Sequence, residues 1–181
     1  MYLRLLCDKL YANLPGVEIM PVFTYLDKSE FSAVAAELFG ILTDNMAAVD
    51  PAGAFQRWYE AVGDGLRREQ RQIILIRDAG NLIGFFQYYT NADTFMMEEI
   101  QFKSPYQGTG LFRALYGFVL SEIPADLTFV EAYTHTNNIK SIGILEKLGL
   151  SKIARTQDGN FYHFRGNFAD FITWYNRKSS L

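Results

Sequence analysis

Cysteine and histidine are scarce in this 181-residue chain, which contains one cysteine and two histidines. A single cysteine, Cys7, cannot form an intramolecular disulfide. Cys7, His135 and His163 together also supply too few of the ligands that a zinc cluster requires. We therefore expect a chain without disulfides and without a bound metal.

A concentrated basic region is missing as well. The 17 Lys and Arg residues are outnumbered by 20 Asp and Glu residues, and the formal net charge is −3. Binding to nucleic acid without sequence preference requires clustered basic side chains. The composition predicts no nucleic-acid partner, and it suits a cationic small molecule or a peptide amine better.

No long hydrophobic run is present either. The apolar patch in "MYLRLLCDKLYANLPG" is interrupted by Arg4, Asp8 and Lys9, so it fits neither a signal peptide nor a membrane span. We expect a cytoplasmic protein with no membrane partner. With 49% hydrophobic and 20% charged residues, the chain fits one domain over residues 1–181, including an N-terminal extension at 1–16 and a C-terminal helical extension at 168–181.

The first part of the chain predicts a strand followed by two helices. Residues 17–26 have an extended pattern, and Asp27 with Glu30 resembles a capping box ahead of apolar residues at helical spacing. For the second helix, Asp50 is the expected N-cap and Pro51 the expected first helical residue. Its apolar face comprises Phe55, Trp58, Tyr59, Val62 and Leu66.

The remainder predicts strands mixed with helices. Turn residues at 78–81 and 90–93 divide the segment 72–102 into a three-stranded antiparallel meander. There follow a helix at about 109–122, a strand at 127–134, a short helix ending near Gly149, a hairpin turning at Asp158-Gly159 and a last helix. The predicted class is α/β (α+β), with a mixed, mostly antiparallel sheet of about six to seven strands and helices on both faces.

The segment "SPYQGTGLFRALYGF", residues 104–118, places glycines directly before a predicted helix. Such glycines occur in ordinary turns, and they also occur where backbone N–H groups bind an anion. "QGTGLF" lacks the third glycine of a dinucleotide fingerprint and the Gly-Lys-Ser/Thr of a P-loop. An antiparallel meander also precedes it, whereas both of those motifs need a βαβ unit.

A third interpretation accounts for the whole arrangement, because the segment resembles the phosphate loop of the GCN5-related N-acetyltransferase (GNAT) family. That loop has Gln or Arg, two variable residues, Gly, one variable residue and then Gly or Ala. Phe112 stands where the family usually has Gly or Ala. The positions that match are Gln107, Gly108, Thr109, Gly110 and Leu111.

The flanking segments resemble the same family in the same order, over roughly residues 17–167. "MMEEIQF" at 96–102 resembles the central strand that ends just before the loop. "NNIKSIGILEKLGL" resembles the family's second motif, which begins at an asparagine. Its matching positions are Asn138, Ser141, Glu146, Lys147, Gly149 and Leu150.

The resemblance implies that acetyl-CoA is the co-substrate. Backbone N–H groups from Gly108 to Phe112 are expected to bind the pyrophosphate, and Arg113 to reach a CoA phosphate. We expect the Phe112 side chain to point into the core, so that only its backbone faces the cofactor. The other expected cofactor contacts are Ile100, Gln101 and Phe102, through their backbone groups, and Asn138 and Ser141 in the second motif.

Two adjacent glutamates, Glu98 and Glu99, lie on the central strand, where alternation sends them to opposite faces. In the resembling family a glutamate in this region often acts as the general base. Glu98 is our first candidate for that base. Glu99 is the second, and it could equally bind the amine of the acceptor.

The general acid is less well defined. Many members of the family use a tyrosine seven residues after the motif asparagine, but that position is Leu145 here. Ser141, Tyr133 and His135 are the candidate replacements. We expect an N-acetyltransferase acting on a small-molecule or peptide amine, as a monomer or a homodimer. The alternative is a non-catalytic acyl-CoA-binding regulatory domain with the same fold.

Overall fold

The computed structural model describes residues 20–46, 53–68 and 70–179. Cys7, the predicted N-terminal extension at 1–16, the beginning of the first predicted strand, and the predicted cap residues Asp50 and Pro51 lie outside the described residues. All structural statements below concern the described part of the chain.

The described residues form seven strands and five α-helices in the order predicted from the sequence. The helices are α1 (Phe31–Asp44), α2 (Ala54–Arg68), α3 (Leu111–Leu120), α4 (Ile139–Lys147) and α5 (Phe168–Ser179). The strands are β1 (Val22–Tyr25), β2 (Gln72–Asp78), β3 (Asn81–Asn91), β4 (Thr94–Phe102), β5 (Phe129–His135), β6 (Ser151–Arg155) and β7 (Phe161–Asn167).

The strands form one sheet in the order β1-β2-β3-β4-β5-β7-β6. β1 is antiparallel to β2, β7 is antiparallel to both β5 and β6, and β4 runs parallel to β5. The predicted mixed sheet is therefore confirmed. Its first hairpin turns through Ala79 and Gly80, whose φ angles of 47° and 83° are the left-handed conformations that a tight two-residue turn requires.

The starts of two helices differ from the sequence-based expectation. Asp27 does act as a cap, but its carboxylate accepts from the backbone N–H and hydroxyl of Ser29, at 2.9 and 2.7 Å. Both hydrogen bonds lower the pKa of Asp27, and the bond from the Ser29 hydroxyl has the larger effect. A 3-10 turn at Lys28–Glu30 therefore precedes α1. Helix α3 begins at Leu111 and not at 109, because Gly110 is left-handed, with φ of 88°.

The chain divides into two compact units, of which the first comprises the described parts of Met1–Gln87 and Glu99–Glu122. In this unit α1 and α2 pack on one face of the sheet, where Phe85 belongs to their buried cluster. Helix α3 packs on the other face, where Tyr116 meets Phe86 at 6.1 Å between ring centroids. Helices thus lie on both faces of these strands, as predicted.

The second unit comprises Tyr88–Glu98 and the described part of Ile123–Leu181. Helix α5 packs on β4 through Phe168 and Phe171, whose rings lie 6.3 and 6.5 Å from the ring of Phe95. All three side chains are buried. The docking of the terminal helix therefore depends on aromatic side chains.

We predict that Phe171→Ala lowers the stability of the protein by about 3–5 kcal/mol, because it deletes a fully buried ring and leaves a cavity. The melting temperature, followed by circular dichroism, should fall by about 10 °C. Thr173→Ala, at an exposed position of the same helix, is the matched control and should change stability by less than about 0.5 kcal/mol. Equal melting temperatures for Phe171→Ala and the control would contradict the packing of α5 described here.

Candidate active site

The glycine loop connects β4 to α3 in the first unit. After Phe102 the chain makes a 3-10 turn at Ser104–Tyr106 and then passes through Gly108 and Gly110. The φ angles of these glycines are 79° and 88°, which side-chain-bearing residues rarely adopt. A Cβ at position 108 would meet nothing within 4 Å, so the backbone conformation and not crowding requires glycine there.

The loop presents a row of backbone N–H groups at the start of α3. Within the described residues, the N–H groups from Gly108 to Phe112 make no backbone hydrogen bond, whereas those of Arg113 and Ala114 bond to the Gly110 carbonyl. Successive donors of this kind, at the positive end of a helix dipole, form a concave site for an anion. This loop therefore fits the pyrophosphate group that the resemblance implies.

Hydrogen bonds within the first unit hold the loop in shape. The Thr109 hydroxyl donates to the carbonyl of Tyr106 at 2.7 Å. The Tyr106 hydroxyl in turn donates to Asp78 at 3.3 Å, at the end of β2. Burial, followed by the negative charge of Asp78 and this hydrogen bond, raises the pKa of Tyr106, so Tyr106 remains a donor at neutral pH.

Asn45, a residue that the sequence did not single out, is a further support of the loop. The Asn45 side chain donates to the carbonyl of Phe102 at 2.9 Å and accepts from the side-chain amide of Gln107 at 2.8 Å. Gln107 also donates to the Phe102 carbonyl, at 3.1 Å. Because 62 residues separate Asn45 from Gln107, no local pattern in the sequence signals their contact.

Phe112, the departure from the family pattern, packs along its own helix. Its ring lies edge-on to Tyr116 with centroids 4.6 Å apart, and Tyr116 is almost fully buried. This is the i, i+4 contact expected on one helix face, and it agrees with the expectation that the side chain points into the core. Arg113, on the next position, is half-buried.

The candidate residues of β4 are all half-buried, from Glu98 to Phe102. Glu99 accepts a hydrogen bond from the side chain of Gln101 at 2.7 Å, as expected for residues two apart on one strand face. The carbonyl of Phe102 accepts the two bonds from Asn45 and Gln107, which occupy both of its lone pairs. The N–H of Phe102 is therefore the backbone group of this residue that we expect to contact the cofactor.

In the second unit, Asn138 caps helix α4. Its side chain accepts from the backbone N–H of Ser141 at 3.0 Å, and its own N–H donates to the carbonyl of His135 at 2.9 Å. The helix ends at Lys147, and Gly149, two residues later, has a left-handed φ of 88°. Leu145, at the position where the tyrosine acid is usual, is buried.

Tyr133 and His135 are both exposed at the end of β5, on the strand face that alternation predicts. Tyr133 stacks on His163 of β7 with ring centroids 4.4 Å apart. His135 lies edge-on to Phe161, and its Nδ1 accepts from the backbone N–H of Asn137 at 3.2 Å. The two candidate acids therefore lie on one face of the β5–β7 pair, each against its own partner on β7.

Glu131 and His163 were not predicted as site residues from the sequence. The buried carboxylate of Glu131 bonds His163 at 2.7 Å and the Arg165 Nε at 2.6 Å. This arrangement compensates a charge that would otherwise be costly to bury, and it fixes the imidazole on which Tyr133 stacks. Strand alternation places Glu131 on the face of Tyr133, but the sequence does not reveal which strand lies opposite.

Metal-binding clusters and membrane-spanning helices are both absent from the described residues. That part of the chain contains no cluster of three or more His, Cys, Asp or Glu side chains placed to bind a metal ion. None of its helices has the length and hydrophobicity needed to span a membrane.

Comparison with solved structures shows what fold the chain shares. The structure is similar to mutant forms of the spermidine/spermine N-acetyltransferase SpeG from Vibrio cholerae (TM-score 0.57, 14% identity, 84% of this chain and 96% of that chain). It is also similar to the PaiA N-acetyltransferase from Thermoplasma acidophilum in complex with coenzyme A (0.60, 12%, 82% and 99%). A third similar structure is the ribosomal-protein-S18-alanine N-acetyltransferase from Escherichia coli (0.60, 17%, 82% and 94%).

Comparison of the sequence with curated proteins found no match. A profile of the acetyltransferase (GNAT) family matches residues 35–150, a range that includes the glycine loop, β4 and helix α4. The match covers more than half of the chain and confirms the family that the motifs resemble. The chain therefore belongs to the acetyltransferase (GNAT) family.

Proposed function

We propose that this protein is an acetyl-CoA-dependent N-acetyltransferase that acts on a primary amine of a small molecule or peptide by direct attack in a ternary complex. The observation that carries the proposal is the row of N–H groups from Gly108 to Phe112 at the start of α3, which have no backbone partner among the described residues. It coincides with the loop that resembles the family's phosphate-binding motif.

The residues proposed to hold the cofactor fit its chemistry. The backbone N–H groups of the loop suit the pyrophosphate, and the cationic side chain of Arg113 suits a phosphate. Asn138 and Ser141, together with Ile100, Gln101 and Phe102, are assigned by resemblance. When bound, acetyl-CoA supplies an acetyl group activated as a thioester.

An amine acceptor explains the need for a base. A lysine-like amine has a pKa of about 10.4, so near pH 7 only about one molecule in a few thousand is neutral. Making it neutral costs roughly 4–5 kcal/mol. We propose Glu98 as the group that removes this proton. Glu99, held by Gln101, is proposed to attract the cationic acceptor.

An acid is less important. A thiol has a pKa near 8.5, so the thiolate that leaves is only about 2 kcal/mol from its protonated form at neutral pH. Tyr133 and His135 are exposed and remain the candidates, with the half-buried Ser141 as a third. The three similar structures are N-acetyltransferases. One is named for spermidine and spermine, and another for the alanine of ribosomal protein S18. For this chain we propose an amine acceptor, a cytoplasmic location and a monomeric or homodimeric state.

The experiment that tests the function measures thiol release from acetyl-CoA with a panel of polyamines, aminoglycosides, amino acids and peptides with free N-termini. We predict release with at least one amine, and loss of both release and coenzyme A binding in Gly110→Glu, because the new side chain adds bulk and a like charge beside the phosphates. Gly110→Ala separates backbone strain from charge. Gly40→Glu is the matched control, since a Cβ at Gly40 meets nothing within 4 Å.

Two outcomes of this experiment would contradict the proposal. Unchanged calorimetric binding of coenzyme A by a folded Gly110→Glu protein would remove the loop as the phosphate site. Tight binding of coenzyme A without thiol release for any amine would favour the regulatory alternative.

A second prediction assigns different roles to the two glutamates. Glu98→Gln should lower kcat by a hundredfold or more and abolish the acid limb of the pH–rate profile, within the range expected for loss of a general base. Glu99→Gln should mainly raise the KM of the amine, because it removes an attracting charge and not the proton acceptor. Steady-state kinetics of both variants with the same amine are the measurement, and wild-type turnover in both would exclude either residue as the base.

A third prediction concerns the candidate acids. Tyr133→Phe and His135→Asn should each lower kcat by less than about a hundredfold, because an acid contributes at most about 2 kcal/mol by the pKa difference. Leu145→Tyr should restore neither, since Leu145 is buried. A several-thousandfold loss in either single variant, with coenzyme A binding intact, would show that a dedicated acid exists.

A further inference from the structure

Three side-chain amides form a continuous chain of hydrogen bonds in the first unit. Gln107 donates to Asn45 at 2.8 Å, Asn45 donates to Gln101 at 2.8 Å, and Gln101 donates to Glu99 at 2.7 Å. The chain begins at the residue before Gly108 and ends on a carboxylate that the proposed function assigns to the acceptor. All four side chains are at least half-buried.

Two groups that can only accept hydrogen bonds fix the direction of this chain. The Glu99 carboxylate accepts from Gln101, so the NH2 group of Gln101 must face Glu99 and its oxygen must face Asn45. The carbonyl of Phe102 accepts from both Asn45 and Gln107, at 2.9 and 3.1 Å, so both of these amides turn their NH2 groups toward it. No amide in the chain can rotate without placing two acceptors against each other.

The donors of Asn45 and Gln107 are also saturated. Each NH2 group has two hydrogens, and each makes two bonds: Asn45 to Phe102 and Gln101, and Gln107 to Phe102 and Asn45. Asn45 connects Gln107 to Gln101, because its oxygen accepts from Gln107 and its NH2 group donates to Gln101. Asparagine is therefore required at position 45 for both its donor and its acceptor.

From this geometry we propose that Asn45 is a positioning residue that couples the phosphate loop to the Glu99 carboxylate. The inference rests on the proposed function, since it takes the loop as the coenzyme A site and Glu99 as the acceptor carboxylate. Through Gln107 the chain holds the loop in its binding conformation, and through Gln101 it orients Glu99. Occupancy of the loop and the orientation of the carboxylate are then linked, and such coupling is reciprocal.

Asn45→Asp tests the direction of the chain without changing its shape. Aspartate still accepts from Gln107, but it cannot donate to Phe102 or Gln101, and it places oxygen against oxygen at both positions. We predict at least a tenfold increase in the Kd of coenzyme A, measured by calorimetry, as expected for a buried acceptor that loses its donor. Aspartate has the same shape as asparagine but adds a negative charge, so the variants below separate the loss of these hydrogen bonds from charge repulsion.

A second substitution should partly restore binding by reversing the chain. In Asn45→Asp the Gln101 amide must rotate so that its NH2 group donates to the new carboxylate. The oxygen of Gln101 then faces the Glu99 carboxylate, which can only accept hydrogen bonds. Glu99→Gln supplies a donor at that point, so the double variant should regain part of the lost affinity for coenzyme A, although the contact with the Phe102 carbonyl stays unfavourable. Glu98→Gln, a neighbouring change on the opposite strand face, is the matched control and should restore nothing.

Two further variants separate this role from a structural one. Thr43→Val removes one hydrogen bond near the end of the same helix, from Thr43 to the Gly40 carbonyl, and should leave the Kd of coenzyme A unchanged. Asn45→Ala, which introduces no charge, should also weaken binding at least severalfold if the Asp variant does not fold. The melting temperature of each variant shows whether it is folded.

The outcomes distinguish this inference from the proposed function. Wild-type coenzyme A affinity in folded Asn45→Asp and Asn45→Ala would overturn the positioning role and leave the proposed function standing. Weakened binding that Glu99→Gln does not restore, or that Glu98→Gln restores equally, would overturn the coupling to Glu99. If wild-type protein fails to bind coenzyme A, the proposed function itself fails and the inference with it.

Discussion

The carbonyl oxygen of Phe102, the last residue of β4, accepts hydrogen bonds from the side chains of Asn45 and Gln107. These two bonds connect the end of a strand, the end of helix α1 and the first residue of the glycine loop. Together with the bonds of Thr109 and Tyr106, they fix the path of the chain before α3 begins. The N–H groups from Gly108 to Phe112 are thereby held side by side, and none of them has a backbone acceptor within the part of the chain that the structure describes.

A row of N–H groups explains how a protein of net charge −3 would bind a highly charged cofactor. A helix N-terminus contributes roughly 0.3–1 kcal/mol to anion binding through its dipole. Each hydrogen bond to a charged oxygen contributes about 1.5–3 kcal/mol, so several N–H bonds outweigh the dipole. The proposed phosphate site thus depends on backbone geometry more than on basic side chains, and overall charge is a poor guide to it.

Local patterns predicted most of the fold, and long-range contacts account for what they missed. Period-two and helical spacing identified the order of the elements, and the turns at Ala79-Gly80 and at Gly159 form where the turn residues indicated. Asp27 was predicted correctly as a cap, but its carboxylate accepts from Ser29, and the N–H of Glu30 donates to the Asp27 carbonyl instead. The start of α3 moved from 109 to 111 because the glycines are left-handed. Helical spacing alone does not show that Gly108 and Gly110 adopt left-handed conformations and so delay the start of the helix.

In the candidate site, too, local patterns were predicted and long-range contacts were missed. The loop residues from Gln107 to Leu111 are contiguous, so a short motif was enough to find them. Asn45 lies 56 residues before Gln101 in the chain, and Glu131 lies 32 residues before His163. Such pairs depend on which strands and helices become neighbours, and this information is not present in any short segment.

The central claim is that the loop binds the pyrophosphate of coenzyme A, and it is tested most directly by an NMR titration that follows the backbone N–H signals of Gly108 and Gly110. Coenzyme A should shift both signals strongly, because its pyrophosphate accepts their hydrogens. Pantetheine, which lacks the pyrophosphate, should leave both in place at the same concentration. Equal shifts with the two compounds, or no shift of either glycine when coenzyme A binds, would contradict the account.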